Sequence, residues 1–463
     1  MIRLFRVFVP SSIVALLVSE AALICTCYVV AAFIVLSEDP QVFLLYDNGA
    51  IRIAVVAACI IIGIYFHDLY GQLRIRSRML FIQQMAVVVG AAFLVQALLG
   101  YLHLRDFVLP TWLMILGSSM VLILVPAWRF FYTGVVFKSA GSERVLFLGT
   151  SAAVQEIAEY FNAHPESGYV TVGYVDNIPA ETELPGGKVL GGTHDLVQVV
   201  EQLKPDRIVV GMSERRQRLP VTQLLDLRFS GIPIDDTLAM YEATFGRIPT
   251  RELHPSQLVF SKDFGPNPGR LVLQSIYSWT LALLGALITL PILLLVTILV
   301  KITSPGPALF RQQRVGKNDV VFTLYKFRSM YRDAEAVSGA VWAKQDDPRV
   351  TPVGKWLRRL RLDELPQLFN VLKGEMSIVG PRPERPEFVE ELAQRIPYYR
   401  QRHCVKPGIT GWAQINHEYS DTVEDAMIKL EYDLYYIKNL TPALDVLIAF
   451  HTAKVMLLWR GAR

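Results

Sequence analysis

The sequence predicts a membrane protein in three parts. A four-helix transmembrane region occupies residues 1–137, a small Rossmann-like α/β domain with its connecting segment 138–265, and a membrane-attached unit 266–463. Three observations carry this reading. Four apolar runs crowd the first 128 residues, short buried-looking strands then alternate with amphipathic helix, and a fifth apolar run is basic on both flanks. A mean hydropathy of +0.34 fits that plan. A net charge of only +4 gives no signal for nucleic acid, so the placement of charge matters more than its sum.

The runs at 11–36, 50–66, 79–99 and 108–128 each approach the length of a bilayer-spanning helix. Arg3 and Arg6 precede the first, Arg74, Arg76 and Arg78 separate the second and third, and Arg129 and Lys138 follow the fourth. The segment SEDPQVFLLYDNGA between the first two carries only acids, so the positive-inside asymmetry places the N-terminus and everything after about residue 130 on the cytoplasmic side. The first run continues through Leu36 without a small-residue cleavage site, as a retained anchor does. Glu20 is an isolated acid in that run and reads as a helix-packing or interfacial residue. Cys25, Cys27, Cys59 and Cys404 lack the paired spacing of a zinc site or a disulfide framework.

From Arg144, RVLFLGTSAAVQEIAEYF reads as strand, turn at Gly149 and amphipathic helix, with further strands in GYVTVGYVD at 168–176 and DRIVVGM at 206–212. The first turn lacks a complete glycine-rich fingerprint, which favours a structural or regulatory use over a nucleotide site. Residues 230–270 are rich in Gly and Pro and read as a connection.

The fifth apolar run, 276–301, poses a parity problem, because a full crossing would export the charged chain beyond it. Lys262 and Arg270 precede it, and Lys301, Arg311, Arg314 and Lys317 follow, so both flanks look cytoplasmic. Pro291 near its middle removes a donor and clashes with the preceding turn, which allows a helix that enters one leaflet, bends and returns. An ordinary kinked span is the alternative.

Between 311 and 383 basic and acidic groups recur in compact clusters, including RQQRVG, YKFRSM and RRLRLDELPQL. Arginine makes bidentate contacts with phosphate oxygens, while a carboxylate attacks phosphorus or holds a divalent ion. For any single arginine, a surface salt bridge or a contact with anionic lipid is the competing account. Leu360, Leu362, Leu365 and Leu368 supply apolar side chains to seat the segment and leave Asp363 and Glu364 beside the basic cluster. On an α-helix these two carboxylates point about 100° apart and serve one ligand in different roles.

The motifs YKFRSM at 325–330, DDPRVTPVG at 346–354, LRRLRLDELPQLFNVLKGEMSIVGPRP at 357–383 and KPGITGWAQIN at 406–416 closely resemble those of the bacterial sugar transferases that start membrane-linked glycan assembly. These are the monotopic polyprenyl-phosphate phosphoglycosyl transferases. The resemblance runs from about 270 to 463, and the chain as a whole resembles the long, many-domain branch, in which an α-rich catalytic domain is joined to a degenerate nucleotide-fold domain and dimers are usual. It implies a reentrant helix at 276–301. Where the family often has Ser before the bend proline this chain has Leu290, with Thr289 available to cap a freed carbonyl.

The resemblance also implies the chemistry. Asp363 would be the nucleophile and Glu364 the Mg²⁺ ligand; a UDP-sugar would lose UMP to give a phosphosugar enzyme, from which undecaprenyl phosphate takes the sugar phosphate. Arg358 matches the family's phosphate-binding arginine and Arg382 the donor-nucleotide end. Lys326 and Arg328 would also lie near phosphates or, equally, serve a structural role. Asp347 and Arg349, with Asp346, would support the site as a loop clamp, or equally form a local turn with Pro348 and Thr351. His403 and His417 read as structural hydrogen-bonding groups. The segment TPALDVLIAFHTAKVMLLWR lies on the bilayer or packs against the reentrant helix. The implied setting is the cytoplasmic face of a bacterial inner membrane, in exopolysaccharide, capsule or O-antigen synthesis. An inactive membrane scaffold or regulator is the other class of function, and a transferase acting through the α/β module a third.

Overall fold

The computed structural model describes the chain except for residues 1, 5–6, 37–38, 71–77, 137–141, 213–218, 261–264, 266, 332–348, 418–421 and 458–463. Arg6, Arg74, Arg76, Lys138, Lys262, Asp346 and Asp347 therefore lie outside the described residues. The protein is mostly helical, and among the described residues five helices are long and apolar enough to cross a membrane. These mark it as membrane-associated. Two compact units account for the fold, residues 1–2 with 8–236 and residues 3–7 with 237–463.

In the first unit, α1 (Ser11–Val35), α2 (Gly49–Phe66), α3 (Arg78–Tyr101) and α4 (Thr111–Phe131) correspond to the four predicted runs. Helix α1 packs along α4, and α2 lies against α1 and α3. Small residues allow the close approach: the Tyr28 ring sits where a Cβ on Gly117 would be, and the Tyr28 hydroxyl is 2.8 Å from Ser118 Oγ. Glu20 is not isolated. It is fully buried and receives Arg129 Nε and Nη2 at 2.6 Å each and the Tyr70 hydroxyl at 2.8 Å. Arg129 also donates to the Leu69 carbonyl at 2.8 Å. The arginine that reads in sequence as a flanking charge thus satisfies the intramembrane acid, a bidentate pair that offsets the cost of burying both.

The same unit contains a six-stranded sheet built from β1 (Glu143–Leu148), β2 (Tyr169–Val175), β3 (Glu183–Leu184), β4 (Gly187–Gly191), β5 (Arg207–Val210) and β6 (Ile234–Asp236). Its order is β3-β4-β2-β1-β5-β6, parallel except for the β3/β4 pair. Helices α5 (Ala152–Ala163), α6 (Leu196–Leu203) and α7 (Val221–Phe229) accompany it. Gly149, at φ 103°, makes the first strand-to-helix turn, where a Cβ would meet the Gly211 carbonyl oxygen at 2.7 Å.

The second unit begins with α8 (Thr237–Phe245). Residues 237–250, part of the connection in the sequence reading, are tied into this unit: Trp412 Nε1 donates to the Gly246 carbonyl at 2.8 Å and Thr250 N to Glu431 Oε1 at 3.0 Å. The fifth apolar helix, α9, spans Pro268–Thr303 and starts earlier than its apolar run, because Asn267 accepts from the Gly269 and Arg270 amides and Pro268 suits the first turn. It is helical through Pro291. The acceptor that Pro291 frees is the carbonyl four residues back, at 287, whereas Thr289 Oγ1 donates to Gly285 O. Thr289 therefore does not cap the freed carbonyl.

A hairpin of β7 (Leu309–Val315) and β8 (Val321–Phe327) follows, then α10 (Pro352–Arg359), α11 (Gln367–Leu372), β9 (Ser377–Val379), α12 (Pro386–Arg395) and β10 (Gly408–Thr410), which pairs in parallel with β9. Helices α13 (Val423–Asn439) and α14 (Pro442–Leu457) close the unit. Leu430, Leu434, Tyr435, Leu444 and Ile448 form its core. Helix α14 is hydrogen-bonded to α9: buried Asp445 accepts from Gln274 Nε2 at 2.9 Å and from Tyr277, as well as from the Tyr436 hydroxyl of α13 at 2.8 Å.

Candidate active site

The site is built where β8 meets the segment after α10. Thr351 caps α10 by accepting from Gly354 N at 2.9 Å, and Gly354 lies so close to the Ser329 carbonyl that a Cβ would stand 1.9 Å from it. Beyond α10, Arg361 turns left-handed at φ 53°, and Leu362–Glu364 form a 3₁₀ turn. The carboxylates are thus not on an α-helix. A 3₁₀ turn separates successive side chains by about 120° and tightens the chain beneath them. Leu362 and Leu365 pack with Leu293 and Val296 of α9, and Leu368 with Ala282, while Leu360 is exposed. Asn370, fully buried, accepts from Tyr325 N at 3.1 Å and donates to the Thr323 carbonyl at 2.7 Å, fastening α11 to β8.

This scaffold brings most of the predicted residues together. Glu364 Oε1 accepts from Lys326 Nζ at 3.1 Å and from Arg382 Nη2 at 2.9 Å, and Arg361 Nη1 lies 3.9 Å from Oε2. Arg358 Nε donates to Ser329 Oγ at 2.9 Å, and its charge acts on Asp363. Both carboxylates are buried. Burial alone would raise Glu364, but Arg382, then Lys326 and Arg361, hold it well below the usual carboxylate range. Burial raises Asp363 against the pull of Lys326, with the Glu364 charge adding to the rise. Burial also lowers Lys326 below an ordinary lysine, against the attraction of Glu364. Two adjacent carboxylates therefore have different environments: one is clamped by cations, and the other has no hydrogen bond to its carboxylate among the described residues. Such a split is what two distinct roles require.

Arg328 is placed elsewhere. Its guanidinium is buried and donates to the carbonyls of Ser304 and Pro305 at 2.8 and 2.9 Å and to Ser304 Oγ at 2.8 Å, closing the C-terminal end of α9. Of the two roles open to Arg328 in the sequence, these bonds support the structural one: the cation also reaches the Val300 carbonyl of the last turn at 3.4 Å, where a helix end needs donors. Arg328→Met is accordingly expected to destabilise the unit by about 2 kcal/mol while leaving the donor KM within about twofold, as read by thermal unfolding alongside steady-state kinetics.

Arg349 belongs to a short pairing in which Tyr331 N donates to the Arg349 carbonyl at 3.0 Å and Met330 bridges Val350. His403 Nδ1 is 2.6 Å from Asp319 Oδ1 and His417 Nε2 3.0 Å from Asp425 Oδ1, so both histidines have local partners. Among the described residues no group of three or more His, Cys, Asp or Glu converges as a metal cage.

Comparison with known proteins completes the picture. The bacterial sugar transferase model matches residues 269–459. A UDP-N-acetylgalactosamine-undecaprenyl-phosphate N-acetylgalactosaminephosphotransferase of Aeromonas hydrophila is 45% identical over 50% of this chain and 54% of its own length. An exopolysaccharide production protein PSS of Rhizobium leguminosarum bv. phaseoli is 43% identical over 39% of this chain and 94% of its own length. The chain belongs to the bacterial sugar transferase family. A UDP-glucose:undecaprenyl-phosphate glucose-1-phosphate transferase of Escherichia coli (strain K12) is 37% identical over 66% of each chain. The chain thus spans about half of the Aeromonas relative and 66% of the Escherichia one. The family match covers α9 through α14, and so the dyad and every basic residue around it.

Proposed function

We propose that the protein is a phosphoglycosyl transferase that moves a sugar 1-phosphate from a UDP-sugar to undecaprenyl phosphate on the cytoplasmic side of a bacterial inner membrane. The observation that carries this reading is the divided dyad: an Asp363 carboxylate with no hydrogen bond among the described residues, beside a Glu364 held ionised by Arg382 and Lys326. In the first step an Asp363 oxygen attacks the phosphorus bearing the sugar, the bond from that phosphorus to the bridging oxygen breaks, and UMP leaves with the electron pair. In the second, a phosphate oxygen of undecaprenyl phosphate attacks the same phosphorus and the bond to Asp363 breaks, giving undecaprenyl diphosphate sugar and the free carboxylate. Lys326, Arg358, Arg361 and Arg382 offset the charge of the diphosphate in a partly desolvated site, and Arg382 is assigned to the nucleotide end.

Magnesium fits this residue set. The ion is commonly held by one or two carboxylates with substrate phosphates and water completing its shell, so the absence of a protein cage among the described residues is compatible with Glu364, next to Asp363, as the protein's contribution. When bound, it would offset charge on the diphosphate and ease departure of UMP.

Reentry of α9 is part of the same reading. Its N-terminal half bonds to β9, Gln274 Nε2 to the Val379 carbonyl at 3.2 Å, while Leu293, Val296 and Val300 pack with Phe327 and Leu357 and its end is capped by Arg328. A straight helix rises about 1.5 Å per residue, so residues 274 and 303 would lie about 44 Å apart, more than the roughly 30 Å bilayer core. Attachment of both halves to one folded unit favours entry and return over crossing.

The test is UMP release by the full-length protein with Mg²⁺ and undecaprenyl phosphate, across UDP-N-acetylgalactosamine, UDP-glucose and UDP-galactose. These sugars are the ones that occur in the names of its relatives. Release with one donor at least tenfold above the others is expected. No release from any UDP-sugar would favour the scaffold reading.

A further inference from the structure

The reading above gives Arg382 the donor's nucleotide end, and this inference rests on it. Arg382 sits in the irregular segment Pro381–Glu384, all four of whose carbonyls are engaged. Gly408 N donates to Pro381 O at 3.0 Å, Arg402 Nη2 to Arg382 O at 2.9 Å, Arg314 Nη1 to Pro383 O at 3.0 Å and Val315 N to Glu384 O at 2.9 Å. Prolines at 381 and 383 fix two of the backbone φ angles as well. The segment is therefore held from the β7 hairpin on one side and from the chain after α12 on the other.

The donor to the Arg382 carbonyl is unusual in its setting. Arg402 is 5% exposed, pairs with Asp433 of α13, itself 1% exposed, at 2.7 Å between Nη2 and Oδ2, and donates from Nη1 to the buried Tyr399 hydroxyl at 2.8 Å. A buried ion pair of this kind seldom stabilises a fold more than apolar residues of the same size would, so its value here lies in geometry. One guanidinium donates to a phenol and a backbone carbonyl from its two terminal nitrogens while lying against a carboxylate, an arrangement that the single ammonium of a lysine does not reproduce.

We infer that Arg402 and Asp433 are positioning residues for the donor: through the Arg382 carbonyl they fix the backbone segment that aims the Arg382 guanidinium at Glu364 and at the diphosphate of a nucleoside-diphosphate sugar. Neither residue touches substrate in this account; both act through Arg382.

The experiment measures equilibrium binding of UDP to the full-length protein in detergent with Mg²⁺, in the wild type, R382Q, R402M/D433N and the combination of all three substitutions. Removing Arg402 and Asp433 together avoids leaving one charge buried alone. R402M/D433N is expected to bind UDP about tenfold more weakly in the Arg382 background and within about twofold of its parent in the R382Q background, the non-additivity of groups that act as a unit. R402K, which keeps the charge opposite Asp433, is expected to show a smaller loss with the same dependence on Arg382 and guards against a pair variant that does not fold. Unchanged affinity in both R402M/D433N and R402K, or equal losses with and without Arg382, would overturn the inference while leaving the donor reading in place. Failure of the wild type to bind UDP would overturn the donor reading, and the inference with it.

Discussion

Asp363→Asn is expected to lower UMP release by about 10³- to 10⁵-fold, with protein folding and donor binding retained. The substitution keeps the shape of the side chain and removes its ability to form an acyl phosphate. Because Asp363 carries no hydrogen bond to its carboxylate among the described residues, the amide displaces no partner, and the loss falls on the chemical step. Glu364, held ionised by Lys326 and Arg382, remains as the second carboxylate but is turned about 120° away by the 3₁₀ geometry, so it does not substitute. Loss confined to kcat, with donor KM within a few-fold of wild type, is the pattern of an interaction made only on the way to the transition state.

The second large effect belongs to the transmembrane helices. Glu20→Gln is expected to cost about 3–5 kcal/mol, because Arg129 would stay buried against α1 with half of its bidentate partner replaced by a neutral amide. The Glu20→Leu, Arg129→Met double variant removes both charges and is expected to recover most of that loss. Thermal unfolding of the purified protein in detergent, comparing Glu20→Gln and the single Glu20→Leu and Arg129→Met variants with the double, reads the difference. Additive losses in the double variant would mean that the two residues do not act on each other.

That pair also shows where the sequence stops being informative. An acid in an apolar run is visible from composition, but its partner stands 109 residues away and looks like an ordinary positive-inside flank. The four apolar helices and the strands at 143–148, 169–175 and 207–210 are legible because continuous apolar runs and alternating strand and helix follow from burial alone. The strands Gly187–Gly191 and Ile234–Asp236 are not, since one is bounded by glycine and the other is too short to hold a period.

In the site, charge type identified the dyad and the cations around it, but not their geometry. The 3₁₀ turn depends on a left-handed Arg361, a conformation that sequence favours only weakly outside Gly, Asn and Asp. Lys326 and Arg328 read as an equivalent pair two residues apart, yet β8 ends at Phe327, so Arg328 is free to turn toward the end of α9 while Lys326 faces Glu364. Asn370 carried no signal at all, because a buried asparagine that joins two elements looks in sequence like any polar residue of a short helix.

The covalent step is the centre of the account, and intact-mass analysis of the full-length protein mixed with its UDP-sugar and Mg²⁺ in the absence of undecaprenyl phosphate tests it most directly. The account predicts a mass increase of one sugar phosphate per chain with stoichiometric UMP release, absent in Asp363→Asn and discharged when undecaprenyl phosphate is added. Release of UMP only in the presence of acceptor, with no adduct at any time, would contradict it and point to direct transfer between donor and lipid.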